Sequence, residues 1–331
     1  MDVRLPDADE EEAEAIATAL AESTGDTVCV YVGDENEASV EVPPPTESHR
    51  VYDDDVEPTE RERELRRQID DVERGGPERY RERLSEQGKL FVRDRLDLWF
   101  GEDGVKFEDG RFAAWDDWHP DSPDVEDADD RLPADGLLTG AAEFEGRRVH
   151  FMANDFSVKA GSMAAKGVEK FLRMQQRALQ SGRPVLYLMD SSGGRIDQQR
   201  GFFANREGIG KYYYNHSMLS GRVPQVCVLY GPCIAGAAYT PVFADFTVMV
   251  EGMSSMAIAS PRMVEMVTGE EISLEELGGP RVHARESGSA DLVARDERHA
   301  RALVAKLMEY LPDKAGERPP SRPAKPPARN P

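Results

Sequence analysis

Short apolar runs alternate with longer amphipathic stretches along the chain from Gly136 onward. The apolar runs have the length and β-branched content of strands, and the amphipathic stretches repeat apolar positions with a helical period. The predicted strands are 147–153, 184–190, 224–231, 246–250 and 256–260, and the predicted helices are 168–180, 206–219, a short one from Ala235, 262–269 and 297–311. This alternation of strands and helices indicates an α/β fold.

Two of these runs, PVLYLMD (184–190) and PQVCVLYG (224–231), are apolar at nearly every position rather than at every second one. A strand with one solvated face alternates between apolar and polar residues, whereas a strand of a parallel sheet covered on both sides does not. We therefore expect both runs to be buried on both faces.

The chain before Gly136 has a different pattern. Residues 1–48 are interpreted as an acidic appendage that ends in a proline-rich linker. Residues 57–100 predict helix with a break at Gly75-Gly76-Pro77. Side chains of opposite charge recur four residues apart before the break, and the segment after it carries Leu84, Leu90, Leu96 and Leu98. Residues 313–331 are rich in proline and basic side chains, which is typical of a linker.

Composition and charge exclude several classes of function. The 331 residues include 41 Lys and Arg against 63 Asp and Glu, a formal net charge of −22. This balance argues against binding to nucleic acid or to an anionic membrane surface. The sequence shows neither a long apolar run nor a secretory signal, and Cys29, Cys227 and Cys233 form no CxxC pair. We expect a cytoplasmic protein without a zinc ribbon or a disulfide framework.

The charge is unevenly distributed. Residues 151–250 carry eleven basic and six acidic side chains, a net charge of +5 within a strongly acidic protein. A local excess of cations favours an anionic small ligand such as a nucleotide or a CoA phosphate, but pairing with acids elsewhere in the fold explains it equally well.

Two turns rich in small residues follow the two continuous strands. They are DSSGGR (190–195) and GPCIAGAA (231–238). Small residues let a ligand approach the backbone, and N–H groups at the start of a helix are free to bind it. Two uses fit these turns, a phosphate cradle or an oxyanion hole of paired amides, and tight packing between strand and helix is the alternative. Neither turn has the spacing of a dinucleotide fingerprint or a P-loop.

Candidate side chains for catalysis are few. Ser191 and Ser192 are not in a GxSxG motif, and His216 and His283 have no partner in the sequence pattern. The chain also has no HExxH or other clustered metal-binding motif. An enzyme with these turns would have to stabilise an enolate through backbone donors and take its base from elsewhere.

Several segments resemble the N-terminal half of the carboxyltransferase (β) subunit of biotin-dependent acyl-CoA carboxylases, of the propionyl-CoA and methylcrotonyl-CoA carboxylase type, in the crotonase superfamily. The segment GKLFVRDRLDL (88–98) resembles the family's GKLTARERIDLL helix, and residues 132–162 resemble the family's entry into its core. Residues 190–196, 231–250 and 268–294 continue in register. The motif TGEE followed by LGG, His283 and Ser287-Gly288 is highly specific for the family.

The resemblance implies a crotonase-like ββα spiral core over residues 57–312 with an N-terminal helical extension. It implies that the backbone N–H groups of Ser192, Gly193 and Gly194 bind the thioester carbonyl and its enolate. Candidate ligands of the CoA phosphates are Lys159, Lys166, Lys170 and Arg173. Candidate residues lining the acyl and pantetheine pocket are Ala235, Gly236 and Ala237. His283 and Ser287 belong to the family signature and are expected to be structural, and no metal is expected.

The resemblance also implies a reaction and its partners. Carboxybiotin, carried on a biotin carboxylase or biotin carboxyl carrier subunit, releases CO2, and the freed biotin nitrogen takes the α-proton of an acyl-CoA. The missing acid–base pair is then expected, because the cofactor supplies the base. Short-chain substrates, propionyl-CoA or acetyl-CoA, are favoured, and family members form dimers that assemble into a hexamer.

Three departures from the family pattern matter. The family often has DSGGARI, where Ser192 here replaces the first glycine, and Ala237 replaces a frequent second glycine of the other turn. The second crotonase domain, which binds carboxybiotin in the family, has no counterpart in the sequence, so residues 313–331 are expected to lead into it. We expect a truncated chain, with a separate polypeptide as the alternative. A biotin-dependent acyl-CoA decarboxylase subunit and a non-catalytic acyl-CoA-binding fragment stay open as alternative functions.

Overall fold

The computed structural model describes residues 2–5, 13, 15–18, 28–32, 38–42, 57–115, 131–198, 203, 205–321 and 323. The chain divides into two compact units, residues 1–66 and 67–331. The division between residues 66 and 67 falls inside a helix. The sequence analysis places the start of the main domain at residue 57, and these domain limits stay a prediction. The predicted proline linker after the appendage lies outside the described residues.

The first unit contains a three-stranded sheet of β1 (Asp2–Leu5), β2 (Val28–Val32) and β3 (Ala38–Val42). Strand β1 pairs with β2 in parallel, and β2 pairs with β3 antiparallel. Residues 15–18 are helical.

Three helices follow where residues 57–100 predict an interrupted helix: α1 (Glu60–Glu73), α2 (Glu78–Glu86) and α3 (Val92–Phe100). Gly75 separates the first two with a φ of +76°, a conformation that glycine adopts without strain. The break at Gly75-Gly76-Pro77 is confirmed.

The second unit is built on one large sheet. Its strands are β4 (Val105–Asp109), β5 (Leu137–Phe144), β6 (Arg147–Asn154), β7 (Val185–Ser191), β8 (Gln225–Ile234), β9 (Phe246–Val250), β10 (Ser255–Ala257) and β11 (Leu292–Ala294). The order is β11-β9-β8-β7-β6-β5-β4, with β10 paired to β8. The strands β4, β5 and β6 pair antiparallel, and the pairings from β6 to β11 are parallel.

The helices of this unit after α3 are α4 (Ala165–Ser181), α5 (Ile209–Leu219), α6 (Tyr239–Phe243), α7 (Pro261–Thr268), α8 (Leu274–Gly278), α9 (Pro280–Val282) and α10 (Glu297–Met308). The predicted alternation of strands and helices is confirmed, and with it the α/β fold class. The sequence did not predict β4, β5 or β11.

Strand β5 is not predicted from the sequence because small residues interrupt its apolar pattern. A Cβ on Gly140 would lie 1.9 Å from the backbone oxygen of Phe107. The glycine therefore permits the close approach of β4, a reason that only the paired strands reveal.

The central strands are buried on both faces, as the continuous apolar runs predict, and all seven residues of β7 are buried. Leu186 and Leu188 face a core cluster that includes Trp99 of α3 and Val304 of α10. The intervening Val185, Tyr187 and Met189 face a second cluster. That cluster is closed by α4 and α5 through Phe171, Met174, Tyr212 and Leu219. The unit therefore has three layers, with helices on both sides of the sheet.

The start of the predicted C-terminal linker is held against the core. Ala315 N–H donates to the Gly182 carbonyl over 2.8 Å, and Arg147 forms an ion pair of 3.0 Å with Asp313. The segment after α10 therefore begins as an ordered extension.

Candidate functional site

The two turns rich in small residues lie side by side. Strands β7 and β8 are parallel neighbours, and Ser191 at the end of β7 pairs with Cys233 near the end of β8. The turns that follow therefore leave the same edge of the sheet, which is where open α/β sheets bind ligands. A Cβ on Gly193 would lie 2.9 Å from the Ile234 carbonyl oxygen, so the turns are in direct contact.

In the first turn, one amide has no partner among the residues that the structure describes, and the amides around it are engaged. Ser192 N–H donates to the Ala160 carbonyl over 3.1 Å, and Arg195 N–H donates to the Met163 carbonyl over 2.8 Å. Gly193 N–H points to the Ser191 hydroxyl oxygen at 3.2 Å. Gly194 N–H has no hydrogen-bond partner among the described residues. Gly194 is therefore the strongest candidate donor to an oxyanion.

The assignment of Ser192 to the oxyanion hole is corrected by this geometry, because its amide is already occupied. Of the three predicted donors, Gly194 has no partner in the described part of the chain, and Gly193 is held only by a neighbouring hydroxyl. The exchange of glycine for serine at 192 does not strain the turn, since the positive φ of +110° falls on Gly193.

The second turn offers amides of its own. Residues Ala235–Ala238 form a single 3-10 turn, and the first N–H groups of any such turn lack an acceptor within it. A Cβ on Gly236 would have no atom within 4 Å, so open space adjoins its backbone. Ala235 is exposed with a φ of +54°, whereas Ala237 is completely buried. Ala235 and Gly236 thus face accessible space, and Ala237 packs beneath them.

Backbone strain is concentrated around the first turn. Ala134, Asp135 and Gly136 have φ angles of +52°, +55° and +69°, and residues 159–161 form a second left-handed run. The second run contacts the site directly, because Ala160 accepts the Ser192 N–H. Left-handed non-glycine residues cost about 1 kcal/mol each and cluster at functional sites.

The four predicted cations have different environments. Lys159 is exposed, and Lys166 on α4 is about half exposed with Glu169 at 3.5 Å. Arg173 donates to Asp109 over 2.8 Å and is 42 % exposed. Lys159 and Lys166 therefore stay candidates for CoA phosphates, and Arg173 is a candidate only if a ligand displaces Asp109.

Lys170 is corrected from a phosphate ligand to a core residue. Its side chain is completely buried, and its Nζ donates to the carbonyls of Ala134 and Leu137 over 3.1 and 2.5 Å. The amine thus holds the strained turn of residues 134–136 together. Burial lowers the pKa of Lys170 from 10.5 to about 8, against the opposing effect of Glu108, Asp109 and Asp135.

This pKa predicts a pH dependence of stability. Unfolded chains keep the Lys170 proton up to about pH 10.5, whereas folded chains release it near pH 8. Raising the pH between these values therefore stabilises the folded state, by about 3 kcal/mol for Lys170 alone. The free energy of unfolding, measured in urea from pH 7.5 to 10.5, should rise in wild type relative to the Lys170→Met variant. Parallel curves for the two proteins would contradict the assignment.

Both histidines considered from the sequence have structural surroundings. His216 lies in the core at 2.9 Å from the side-chain oxygen of Gln225, and burial lowers the pKa of its imidazole to about 4. The Nε2 atom of His283 contacts the Met256 carbonyl oxygen at 2.7 Å, and its Nδ1 contacts the Ser287 hydroxyl at 2.8 Å. Because a carbonyl only accepts, Nε2 donates to Met256. These contacts support the structural role expected for His283 and Ser287.

Sequence reasoning missed three polar residues next to the first turn. Lys89 and Asp135 are buried and contact Asp190 and Arg195, respectively. Asn154 places its side-chain oxygen 3.4 Å from the Asp190 amide and donates to the Gly161 carbonyl. The one sequence signal for Lys89 is a cation between apolar neighbours in the segment GKLF; the others depend on tertiary contacts.

The part of the chain that the structure describes contains neither a membrane-spanning helix nor a cluster of metal ligands. In that part no helix is long and apolar enough to cross a membrane. The same residues contain no group of three His, Cys, Asp or Glu side chains placed to hold a metal ion.

Comparisons with known proteins agree with the fold. Residues 83–331 match the model of the carboxyl transferase domain family. The chain is 44% identical over 266 residues to the uncharacterized carboxylase YngE of Bacillus subtilis, an alignment that covers 80% of this chain and 50% of the relative. It is 35% identical over 258 residues to the carboxyltransferase subunit of propionyl-CoA carboxylase from Haloferax mediterranei, covering 78% of this chain and 48% of that protein.

A solved structure, transcarboxylase 12S with methylmalonyl-CoA and methylmalonic acid bound, is similar with a TM-score of 0.71 and 33% identity. That similarity covers 82% of this chain and 51% of the other. The chain thus spans about half the length of the curated relatives it matches. The match over residues 83–331 and the shared fold establish that the chain belongs to the carboxyl transferase domain family.

Proposed function

We propose that this chain is the acyl-CoA half of a biotin-dependent carboxyltransferase, which adds a carboxyl group to the α-carbon of a short-chain acyl-CoA. The observation that carries the proposal is the Gly194 N–H, which no described residue accepts, beside the open second turn at one edge of two parallel strands. A thioester carbonyl bound there would accept from Gly194 and from an amide of the second turn.

The proposed reaction requires an enolate. Removing the α-proton of a thioester moves negative charge onto the carbonyl oxygen, and fixed N–H dipoles at that oxygen stabilise the charge most as it develops. The turn contributes such dipoles without reorganisation, because its neighbouring amides are anchored by the carbonyls of Ala160 and Met163. The chain's share of catalysis is therefore to bind the thioester and stabilise its enolate.

The titratable side chains at the first turn are engaged in ion pairs, which is consistent with a reaction whose base is supplied by the cofactor. Asp190 and Arg195 are buried and paired with Lys89 and Asp135, so they do not reach toward the ligand side of the turn. Carboxybiotin, when bound, supplies both CO2 and the base. We assign the binding of biotin to the part of the relatives that this chain does not span.

Our proposals for the substrate and the assembly are based on the relatives. The Haloferax mediterranei relative is a subunit of propionyl-CoA carboxylase, and transcarboxylase 12S binds methylmalonyl-CoA and assembles as a hexamer. We propose propionyl-CoA or acetyl-CoA as substrate, a biotin carboxylase and carrier subunit as partners, and dimers that assemble into a hexamer.

The proposal is tested in two measurements. Calorimetric titration of this chain with propionyl-CoA should show binding that is tighter than for free CoA, because the thioester carbonyl adds contacts. The enzyme completed by its second carboxyltransferase half and its biotin partner should carboxylate propionyl-CoA or acetyl-CoA. Binding without any turnover would instead support a non-catalytic acyl-CoA-binding role. Net decarboxylation of methylmalonyl-CoA by the completed enzyme, without carboxylation, would support the decarboxylase alternative.

A further inference from the structure

We propose that two buried ion pairs position the first turn (residues 190–195), which we call the amide-donor turn. Lys89 and Asp190 form the pair at its start, and Asp135 and Arg195 form the pair at its end. The four side chains are positioning residues, since they lie behind the turn rather than on its ligand side. The inference rests on the proposed function and adds to it the means by which Gly194 is held in place.

The pair at the start of the turn is closely fitted. The Nζ of Lys89 lies 3.2 and 3.1 Å from the two carboxylate oxygens of Asp190, and the two side chains are 4 % and 0 % exposed. Lys89 comes from the connection between α2 and α3, 101 residues earlier in the sequence. The pair therefore ties the last part of β7 to the helical extension.

The space for this pair is made by a glycine. A Cβ on Gly231 would lie 1.8 Å from the Asp190 Oδ1 and 2.6 Å from the Lys89 Nζ. Any other residue at 231 would displace the carboxylate or the ammonium group. The two strands are thus shaped around the ion pair.

The pair at the end of the turn reaches the other side of the site. Arg195 Nη1 donates to Asp135 Oδ1 over 2.7 Å, with side chains 4 % and 2 % exposed. The second oxygen of Asp135 accepts the Gly167 N–H over 2.7 Å at the start of α4. One carboxylate therefore joins the strained turn of residues 134–136, the start of α4 and the end of the amide-donor turn.

The turn between these pairs needs external support. It contains two adjacent glycines, and glycine has more conformational freedom than any other residue. An amide that stabilises an oxyanion must stay within a few tenths of an ångström of its position, and such precision requires supporting contacts behind it. Buried ion pairs are weak evidence for stability, because apolar residues of the same size often fit as well. We therefore explain the ion pairs at both ends of this turn by their effect on its geometry, because they fix the positions of its amides.

The test uses the completed enzyme and compares Lys89→Met with Lys89→Arg and with Asp135→Asn. Steady-state carboxylation of propionyl-CoA gives kcat and KM, and hydrogen exchange reports the protection of amides 191–195. We expect Lys89→Met to lower kcat at least tenfold, with KM for acyl-CoA changed less than threefold, because the enolate depends more on amide position than the bound thioester does. Exchange at 191–195 should accelerate, and Lys89→Arg should recover part of kcat. Glu145→Gln, which removes a partly exposed ion pair with Arg301, is the control and should change neither readout.

Several outcomes would decide against the proposal. A folded Lys89→Met enzyme with wild-type kcat and unchanged exchange at 191–195 would overturn it and leave the pair a structural one. If Lys89→Met does not fold, Asp135→Asn decides by the same two readouts. If the wild-type enzyme carboxylates no acyl-CoA, the proposed function fails, and hydrogen exchange in the variants still decides whether the pairs hold the turn.

Discussion

Replacing Gly194 with proline is expected to lower kcat for carboxyl transfer by about 100-fold or more in the completed enzyme. Proline has no backbone N–H, so the variant loses the free donor of the first turn. Removing a single donor from an oxyanion hole costs about 100-fold to 1,000-fold in kcat in enzymes where it has been measured. The backbone hydrogen bonds to Met163 use the Gly193 carbonyl and the Arg195 N–H, so proline at 194 removes neither their donors nor their acceptors. Steady-state kinetics with propionyl-CoA measures the effect.

The matched variant is Gly194→Ala, which keeps the N–H. Gly194 does not have the positive φ of Gly193, so its φ does not exclude alanine. We expect this variant to lose less than tenfold in kcat. Equal losses in the two variants would show that the bulk at position 194 matters and not the amide, and the assignment of Gly194 as the donor would be withdrawn.

Replacing Gly231 with alanine is expected to destabilise the fold by about 3 kcal/mol or more. The new methyl group would overlap the Asp190 carboxylate at 1.8 Å and separate it from Lys89. Breaking a buried ion pair costs about 3–5 kcal/mol because a charge is left without compensation in the core. The midpoint and slope of urea unfolding, followed by circular dichroism, give the change in the free energy of unfolding.

Gly236→Ala is the control for this prediction, since it lies in the same segment and its added methyl group meets no atom within 4 Å. The control should change the free energy of unfolding by less than about 0.5 kcal/mol, which is typical for a substitution without steric consequence. Equal stability of the Gly231 and Gly236 variants would mean that the ion pair is not packed as described.

The four cations predicted to bind CoA phosphates show where sequence reasoning about the site reaches its limit. Lys166 and Lys170 lie four residues apart on the same helix, and both are predicted from the sequence to bind CoA phosphates. In the fold, Lys166 is about half exposed while Lys170 is completely buried against the carbonyls of Ala134 and Leu137. The difference arises because a left-handed turn from a distant segment supplies acceptors for one amine and not for the other.

Ser192 illustrates the same limit for the backbone. The pattern DSSGGR predicts a turn with exposed amides, and such a turn is present at the end of β7. Which of its amides is free depends on the Ala160 carbonyl, which lies 32 residues earlier and approaches through a strained run of residues. Local composition carries no information on that contact.

The amino-acid sequence by itself determined the α/β class, the two central buried strands, the break in the helical extension and the two turns that follow β7 and β8. These features depend on local periodicity, on continuous apolar runs and on glycine and proline, all of which can be read along the chain. The tertiary structure alone decided which amides are free, which lysine is buried and which charges pair behind the turn. Those outcomes depend on atoms brought together from segments up to 101 residues apart, whose distances and burial no local pattern encodes.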